Sequence, residues 1–118
     1  MIDKIETVKV AGGKDHPTYA GVLNEAHKKG LKRIEVEILQ FPTDENHFMC
    51  ICSATVEMRV MIDKGEYTNV FTEIGDASPK NVNSMIAPHL IRMAATRAKG
   101  RALRDAVNIG QALKEEMS

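Results

Sequence analysis

Hydrophobic and polar positions alternate along three consecutive segments in the middle of the chain, and this two-residue period is typical of half-buried β-strands. The segments are 33–41 (RIEVEILQF), 47–61 (HFMCICSATVEMRVM) and 66–74 (EYTNVFTEI). The apolar face of the longest segment is continuous and consists of Phe48, Cys50, Cys52, Ala54, Val56, Met58 and Val60. The PTDEN and DKG sequences that separate the segments are rich in turn-forming residues. We therefore predict three antiparallel strands joined by hairpin turns.

A helical spacing of apolar residues precedes the strands. Segment 17–29 (PTYAGVLNEAHKK) begins with Pro17, which suits a first helical turn. Gly30 follows the segment and suits a C-terminal cap, because glycine readily adopts the left-handed conformation found there. We predict one helix over these residues.

A second helical pattern follows the strands. It begins after the sequence GDASP, in which Ser78 can cap a helix. Pro88 interrupts the pattern, because proline lacks the backbone N–H that a helix interior needs. We therefore predict a short helix at 79–86 and a long helix from about 88 to 108, which ends at the Asn or Gly of the sequence NIG.

These elements predict an α+β fold class: a three-stranded antiparallel sheet, packed by the long C-terminal helix in a β-β-β-α core, with an additional N-terminal helix. A chain of 118 residues suffices for one domain over 1–118. We place its core at 33–110 and expect frayed ends at 1–15 and 111–118. A short strand around Ile5–Val10 is also predicted.

The long C-terminal helix carries a stripe of mostly small residues on one side. Small side chains let a helix approach a sheet closely, so we predict that this stripe is the buried face. Its members are Ile91, Ala94, Ala95, Ala98, Ala102, Ala106 and Ile109.

Positive charge is concentrated on the same helix, although the chain as a whole is neutral, with 16 Lys+Arg against 16 Asp+Glu. From Lys80 through Arg104 there are six basic residues and no acidic one. Like charges at helical spacing cost a few tenths of a kcal/mol per pair. Such a run therefore favours a bound polyanion over a solvated face, which usually mixes both signs. A second basic cluster contains Lys28, Lys29, Lys32 and Arg33.

The basic segments contain no aromatic residue on which a base could stack. Contacts to phosphate would then dominate and would leave the bases unread. This pattern suits a protein that holds a nucleic-acid strand with its bases able to pair.

Three antiparallel strands followed by a helix with the sequence T-R-x-x-x-R-A-L-R-x-x-x-N-x-G, at Thr96–Gly110, resemble the core of the single-strand annealing protein superfamily. That superfamily includes the eukaryotic double-strand-break repair annealing protein and phage recombinases of the Erf and Red-beta kinds. The further matching pieces are Tyr67–Gly75 and the turn GDASP. The chain looks closest to small bacterial or phage-borne members, and the resemblance covers about residues 33–110.

The resemblance implies a single-stranded DNA-binding protein of DNA repair and recombination, assembled into homo-oligomeric rings or filaments that lay a strand along a basic groove. The residues that it implies contact phosphate or a neighbouring subunit are Arg97, Lys99, Arg101 and Arg104. Arg92 on the same helix and Arg59 and Lys64 of the second hairpin complete the predicted nucleic-acid-binding set.

Other chemistry is not predicted. The sequence shows no nucleophile–base motif such as G-x-S-x-G, so we expect no enzyme, no catalytic residue and no cofactor. His89 and the other histidines have no partner at metal-ligand spacing, so no metal site is expected. Cys50 and Cys52 would lie on one face of a strand, and we predict that they are reduced core residues.

Composition also bears on the compartment. No segment approaches the ~18 apolar residues of a membrane span, and the N-terminal sequence lacks the apolar core of a signal peptide. We therefore expect a cytoplasmic protein with no membrane partner.

A second interpretation remains open. The chain could be an oligomeric protein–protein adaptor that shares the fold without binding DNA. In that case the arginines of the helix would meet acidic residues on the sheet of a neighbouring subunit, such as Glu35, Glu37 and Glu57. The same acids would repel DNA from that side of the sheet.

Overall fold

A computed structural model of the chain describes residues 7–9, 15–82 and 89–108. The strands are β1 (Thr7–Lys9), β2 (Asp15–Pro17), β3 (Leu31–Gln40), β4 (Cys50–Ile62) and β5 (Gly65–Ala77). The helices are α1 (Tyr19–Lys29) and α2 (Leu90–Val107), and a single 3-10 turn spans Asp44–Asn46.

Strands β3, β4 and β5 form an antiparallel sheet in the order β3-β4-β5, so each long strand pairs with its neighbour in the sequence. Both helices lie on one face of this sheet: α2 packs mainly on β5 and β4, and α1 packs mainly on α2. The predicted α+β class, with its three-stranded sheet, C-terminal helix and N-terminal helix, is confirmed. Strands β1 and β2 pair with each other in a separate two-stranded sheet.

The central strand β4 supplies most of the sheet's contribution to the core. Its alternate residues Cys50, Cys52, Ala54 and Val56 are fully buried, whereas the residues between them are half-buried. This confirms the predicted apolar face from Cys50 to Met58, since a period of two places every second side chain toward the helices. At the ends of that predicted face, Phe48 precedes β4 and is 44% exposed, and Val60 is only half-buried. From the helices, Val22 and Leu103 are the largest fully buried side chains.

The ends of the helices follow the predicted capping chemistry with one shift. Helix α1 begins after Thr18, whose hydroxyl accepts a hydrogen bond from the Gly21 N–H at 2.9 Å, so Pro17 precedes the cap. Gly30 ends α1 with a φ of 109°, and a Cβ there would lie 2.7 Å from the Arg59 carbonyl oxygen. Asn108 ends α2 in the left-handed conformation.

The segment between β5 and α2 differs from its prediction. Strand β5 continues to Ala77, three residues beyond the predicted end, because Cys50, Ile51 and Cys52 of β4 still pair with it. Residues 79–82 form a turn, so the helix predicted at 79–86 is wrong where the structure describes it. The rest of that helix, most of the predicted frayed ends and Ile109 lie outside the described residues.

Helix α2 approaches the sheet unusually closely at Gly75. A Cβ on this residue would lie 2.2 Å from the Ala98 nitrogen and 2.5 Å from the Ala94 carbonyl oxygen, which are both backbone atoms. The small residues Ala94, Ala98 and Ala102 are fully buried here, as predicted. The glycine in β5 and the alanines on α2 together permit this short distance between the helix backbone and the strand.

The buried surface of α2 is wider than predicted. Leu103 and Val107 are buried as well, whereas Ile91 remains 41% exposed and Ala95 and Ala106 are only half-buried. The reason is that α1 packs against α2 in addition to the sheet. Two partners bury more of the helix than the single apolar stripe that its own sequence indicates.

The cysteines Cys50 and Cys52 are free and fully buried, which confirms their prediction as reduced core residues. Burial and the neighbouring Cys52 raise the pKa of Cys50 to about 11. Burial also raises the pKa of Cys52. Both thiols are therefore protonated at neutral pH, and the thiolate is the reactive form.

We expect the folded protein to react very slowly with a disulfide reagent such as dithionitrobenzoate at pH 8. Both thiols should react at once in concentrated guanidinium chloride, because unfolding removes burial and restores the ordinary thiol pKa. A Lys64→Cys variant at the exposed hairpin turn provides the control, since its added thiol should react in the folded state. Rapid release of two equivalents of reagent from the folded wild type would contradict the burial.

Candidate nucleic-acid interface

Arg97 of α2 is buried, with 4% of its surface exposed. Its Nη1 donates to the Asp76 carbonyl oxygen at 2.7 Å and to the Asn81 Oδ1 at 3.0 Å, and its Nη2 donates to the Asn81 carbonyl oxygen at 2.9 Å. The planar guanidinium therefore spans the end of β5 and the turn that follows it. This position gives Arg97 a structural role and leaves little of it to meet a phosphate.

The turn that Arg97 holds is itself closed by hydrogen bonds. Asn81 Oδ1 accepts from the Ser78 N–H at 2.8 Å, and the Asn81 N–H donates to the Ser78 carbonyl at 3.0 Å. The Ser78 hydroxyl accepts from the Lys80 N–H at 3.3 Å, in a local turn instead of the predicted helix cap. Side-chain contacts of this kind hold a turn in one conformation.

Arg101 lies one helical turn beyond Arg97, beside the outer edge of β5. Its Nη1 donates to the Ile74 carbonyl oxygen at 2.9 Å. The same nitrogen lies 3.8 Å from Asp76 Oδ1, and 32% of the Arg101 side chain remains exposed. Arg101 is thus fixed in position by the protein and still in contact with solvent.

Acidic residues of β5 lie among these arginines. Asp76 faces Arg101 and also accepts a hydrogen bond from Asn81 Nδ2 at 2.8 Å. The pKa of Glu73 is raised above its ordinary value, most of all by a hydrogen bond with the Asp105 carboxyl and less by burial. The nearby Arg101 charge lowers that pKa, but by less. The positive charge of α2 is therefore partly compensated by carboxylates from the neighbouring strand.

Lys99 and Arg104 project from other parts of the helix. The Lys99 ammonium lies 5.1 Å from the centre of the Tyr19 ring, a cation–π contact that joins α2 to α1. Arg104 is half-buried, and Arg92 near the start of the helix is exposed. Of the five predicted helix residues, Arg97 is therefore buried and Arg92 is exposed. The other three, Lys99, Arg101 and Arg104, are half-buried.

The two hairpin candidates lie far from this part of α2. Arg59 is opposite Thr68 and pairs with Glu66 at 2.8 Å. Thr68 precedes Ile74 by six residues, which is about 20 Å along a strand. Lys64, at the exposed turn of the hairpin, is roughly 30 Å from Ile74 by the same measure. The structure therefore does not bring Arg59 and Lys64 together with the arginines of α2.

The second basic cluster has neighbours of its own. Lys29 pairs with Glu25 at 3.4 Å on α1. Arg33 lies 2.6 Å from both Glu35 and Glu57 on the sheet. Lys32 donates to the Thr68 hydroxyl at 3.0 Å. These contacts lie beside β3 and the hairpin, separate from the β5 edge that Arg101 occupies.

Among the described residues, no helix or strand packs on the face of the sheet opposite the helices. Its β3 side carries exposed Glu35 and Glu37, which line a shallow depression together with Ser53 and Thr55. Its β5 side carries Val70 and Ile74, which are 59% and 52% exposed. The carboxylates of this surface repel phosphate, although Glu35 and Glu57 are paired with the exposed Arg33.

Within the described part of the chain, no group of three or more His, Cys, Asp or Glu side chains is placed to hold a metal ion. Neither α1 nor α2 has the length and apolar character that a membrane crossing requires. Comparison of the chain with models of protein families, with curated proteins and with solved structures finds no match. The resemblance to annealing proteins therefore depends on the motif and on the order of the elements.

Sequence reasoning did not identify the role of the turn after β5. Lys80 and Asn81 fall in the helix predicted at 79–86, with Ser78 as its predicted cap, and Arg97 is predicted to contact phosphate or a neighbouring subunit. The sequence contains one usable signal, since Asp, Ser, Pro and Asn in DASPKN are all typical turn residues. The partner of that turn, an arginine 16 residues further on, has no local signal.

Proposed function

We propose that this protein binds single-stranded DNA through its phosphate backbone, along the flank of α2 beside β5. The observation that carries the proposal is the position of Arg101, which the Ile74 carbonyl holds at the surface on a helix without an acidic residue from Leu90 through Arg104. A guanidinium that is already oriented loses little conformational freedom when it binds an anion. Arg92 and Arg104 extend the same basic helix.

The setting of these arginines supports backbone contact over base recognition. The flank carries no exposed aromatic ring in the described residues of α2 and of the turn at 78–82, so bases have no stacking surface there. The carboxylates of Asp76 and Glu73 reduce the net positive charge. We therefore propose moderate, sequence-independent binding that weakens as salt is added, in a cytoplasmic protein of the annealing or recombination type.

Arg101→Ala and Arg104→Ala are each expected to weaken binding equally for all sequences. Every lost phosphate contact should reduce the slope of log K against log salt by about 0.7 for a single strand. The measurement is fluorescence anisotropy of a labelled ~30-nucleotide strand titrated with protein at several salt concentrations, with the matched duplex alongside.

The matched control for that experiment is Arg33→Ala. Arg33 is an exposed arginine that pairs with Glu35 and Glu57 on the opposite face of the sheet. The Arg33→Ala substitution removes the same type of side chain and the same charge as the two α2 variants, and it should leave the salt slope unchanged. A loss confined to particular base sequences, or an equal loss with Arg33→Ala, would contradict backbone contact on the α2 flank.

A second candidate function, an oligomeric protein–protein adaptor, is favoured by the uncovered face of the sheet. Val70 and Ile74 are exposed there on β5, Glu35 and Glu37 are exposed on β3 across the same face, and the basic flank of α2 has the opposite charge to these acids. Stacking one copy on the next would join these surfaces in a ring or filament. Light scattering separates the two functions: oligomers without DNA affinity favour the adaptor, whereas salt-sensitive DNA binding favours the first proposal.

A further inference from the structure

The turn between β5 and α2 lies next to the proposed DNA-binding flank and carries an exposed lysine. Lys80 occupies this turn, and its ammonium forms no ion pair with the described residues. Its neighbour Asn81 donates to one oxygen of the Asp76 carboxylate, whose other oxygen faces Arg101. A single carboxylate thus connects the Lys80 turn with Arg101.

The conformation of this turn is fixed from the interior of the protein. Asn81 is held through its side chain and its carbonyl by the buried guanidinium of Arg97. Burial of a charged group costs free energy unless it is well hydrogen-bonded, and the Arg97 guanidinium meets this condition through its bonds to the turn. The anchor holds the backbone on both sides of Lys80, between Ser78 and Asn81.

We infer that Lys80 is a further phosphate-contacting residue, and that Arg97 and Asn81 are the positioning residues that hold it beside Arg101. The inference rests on the proposed binding of single-stranded DNA and adds a residue that lies outside the predicted nucleic-acid-binding set. Arg97 acts through the turn, whereas Lys80 and Arg101 meet the strand. Because an ammonium is a point charge, Lys80 contributes charge and no base selectivity.

Lys80→Ala should weaken binding about fivefold at 0.1 M salt and reduce the salt slope by about 0.7, the value for one lost phosphate contact. Lys64→Ala is the matched control, since it removes an exposed lysine from the turn between β4 and β5, roughly 30 Å along the strand from Ile74. The probe is the same labelled ~30-nucleotide single strand in the anisotropy titration. An equal loss with both lysine variants would overturn the inference, because it would reflect overall charge alone.

The positioning role is tested by a double-mutant cycle with Asn81→Ala, which is expected to retain the fold because Arg97 keeps its hydrogen bonds to the carbonyl oxygens of residues 76 and 81. Asn81→Ala should weaken binding when Lys80 is present and have no further effect in the Lys80→Ala background. Circular dichroism confirms that every variant is folded at the assay temperature. Additive losses would overturn the positioning role.

The outcomes separate this inference from the proposal on which it rests. If the wild type does not bind the strand at micromolar protein, both fail. If the wild type binds and Arg101→Ala weakens binding but Lys80→Ala does not, the proposed function stands and the inference is overturned.

Discussion

Replacing Gly75 with valine is expected to lower the free energy of unfolding by about 3 kcal/mol or more, because the new side chain has no space. Its Cβ alone would lie 2.2 Å from the Ala98 nitrogen and 2.8 Å from the Arg97 carbonyl carbon. These atoms belong to the helix backbone and cannot rotate away, so α2 would have to move off the sheet. Urea denaturation followed by circular dichroism measures the loss.

Two further variants make the Gly75 result specific. Asn69→Val places the same residue in the same strand at an exposed position, and its effect should stay within about 0.5 kcal/mol. Gly75→Ala adds only the Cβ and should fall between the wild type and Gly75→Val. Wild-type stability for both Gly75 variants would show that α2 does not approach β5 as closely as the structure indicates.

The sheet could be predicted because its signal is local. Alternate residues of β4 face the core or the open side, and a period of two in the sequence records this directly. The same holds for the glycine that ends α1 and the asparagine that ends α2, since each is defined by the conformation of one residue. Strand ends were less accurate, and Gly75–Ala77 were assigned to a turn because Gly and Asp are rare in strands.

The candidate site could be predicted only in part, since its electrostatics depend on contacts between distant segments. The basic run on α2 is visible in the sequence, but the carboxylates of Glu73 and Asp76 that face it belong to β5. The cation–π contact of Lys99 requires α1 to pack on α2, which no local pattern encodes. A charge run in one helix therefore indicates a basic surface only after its tertiary neighbours are known.

Because both helices pack on one face of the sheet, the opposite face is left exposed and carries apolar residues. Val70 and Ile74 occupy alternate positions on β5 and remain exposed, although similar residues on the inner face are covered. An exposed β-strand edge beside such residues is a surface that proteins usually protect or use. DNA binding would use only the α2 flank, whereas stacking of copies would join that flank to the uncovered sheet face, so DNA and a neighbouring copy would compete for the flank.

Arg97→Met is expected to lower the free energy of unfolding by about 2–3 kcal/mol, because it removes charged hydrogen bonds while retaining an apolar stem of similar length. The carbonyl oxygens of Asp76 and Asn81 and the Asn81 Oδ1 would lose their guanidinium donor. Loss of this anchor releases the turn from α2. Urea denaturation is again the measurement, and the slope of the transition shows whether unfolding remains two-state.

Arg92→Met on the same helix is the matched control for Arg97→Met. Arg92 is exposed, so its replacement should change the stability by less than about 0.5 kcal/mol. Comparison of the two variants separates the structural arginine from one that faces solvent. If Arg97→Met were as stable as the wild type, and if it weakened DNA binding further in the Lys80→Ala background, Arg97 would contact the strand itself, as the resemblance to annealing proteins implies. A loss of stability for Arg97→Met alone assigns the first arginine of the TRAKGRALR sequence to the fold and leaves Arg92, Arg101 and Arg104 as the arginines of α2 that are proposed to contact DNA.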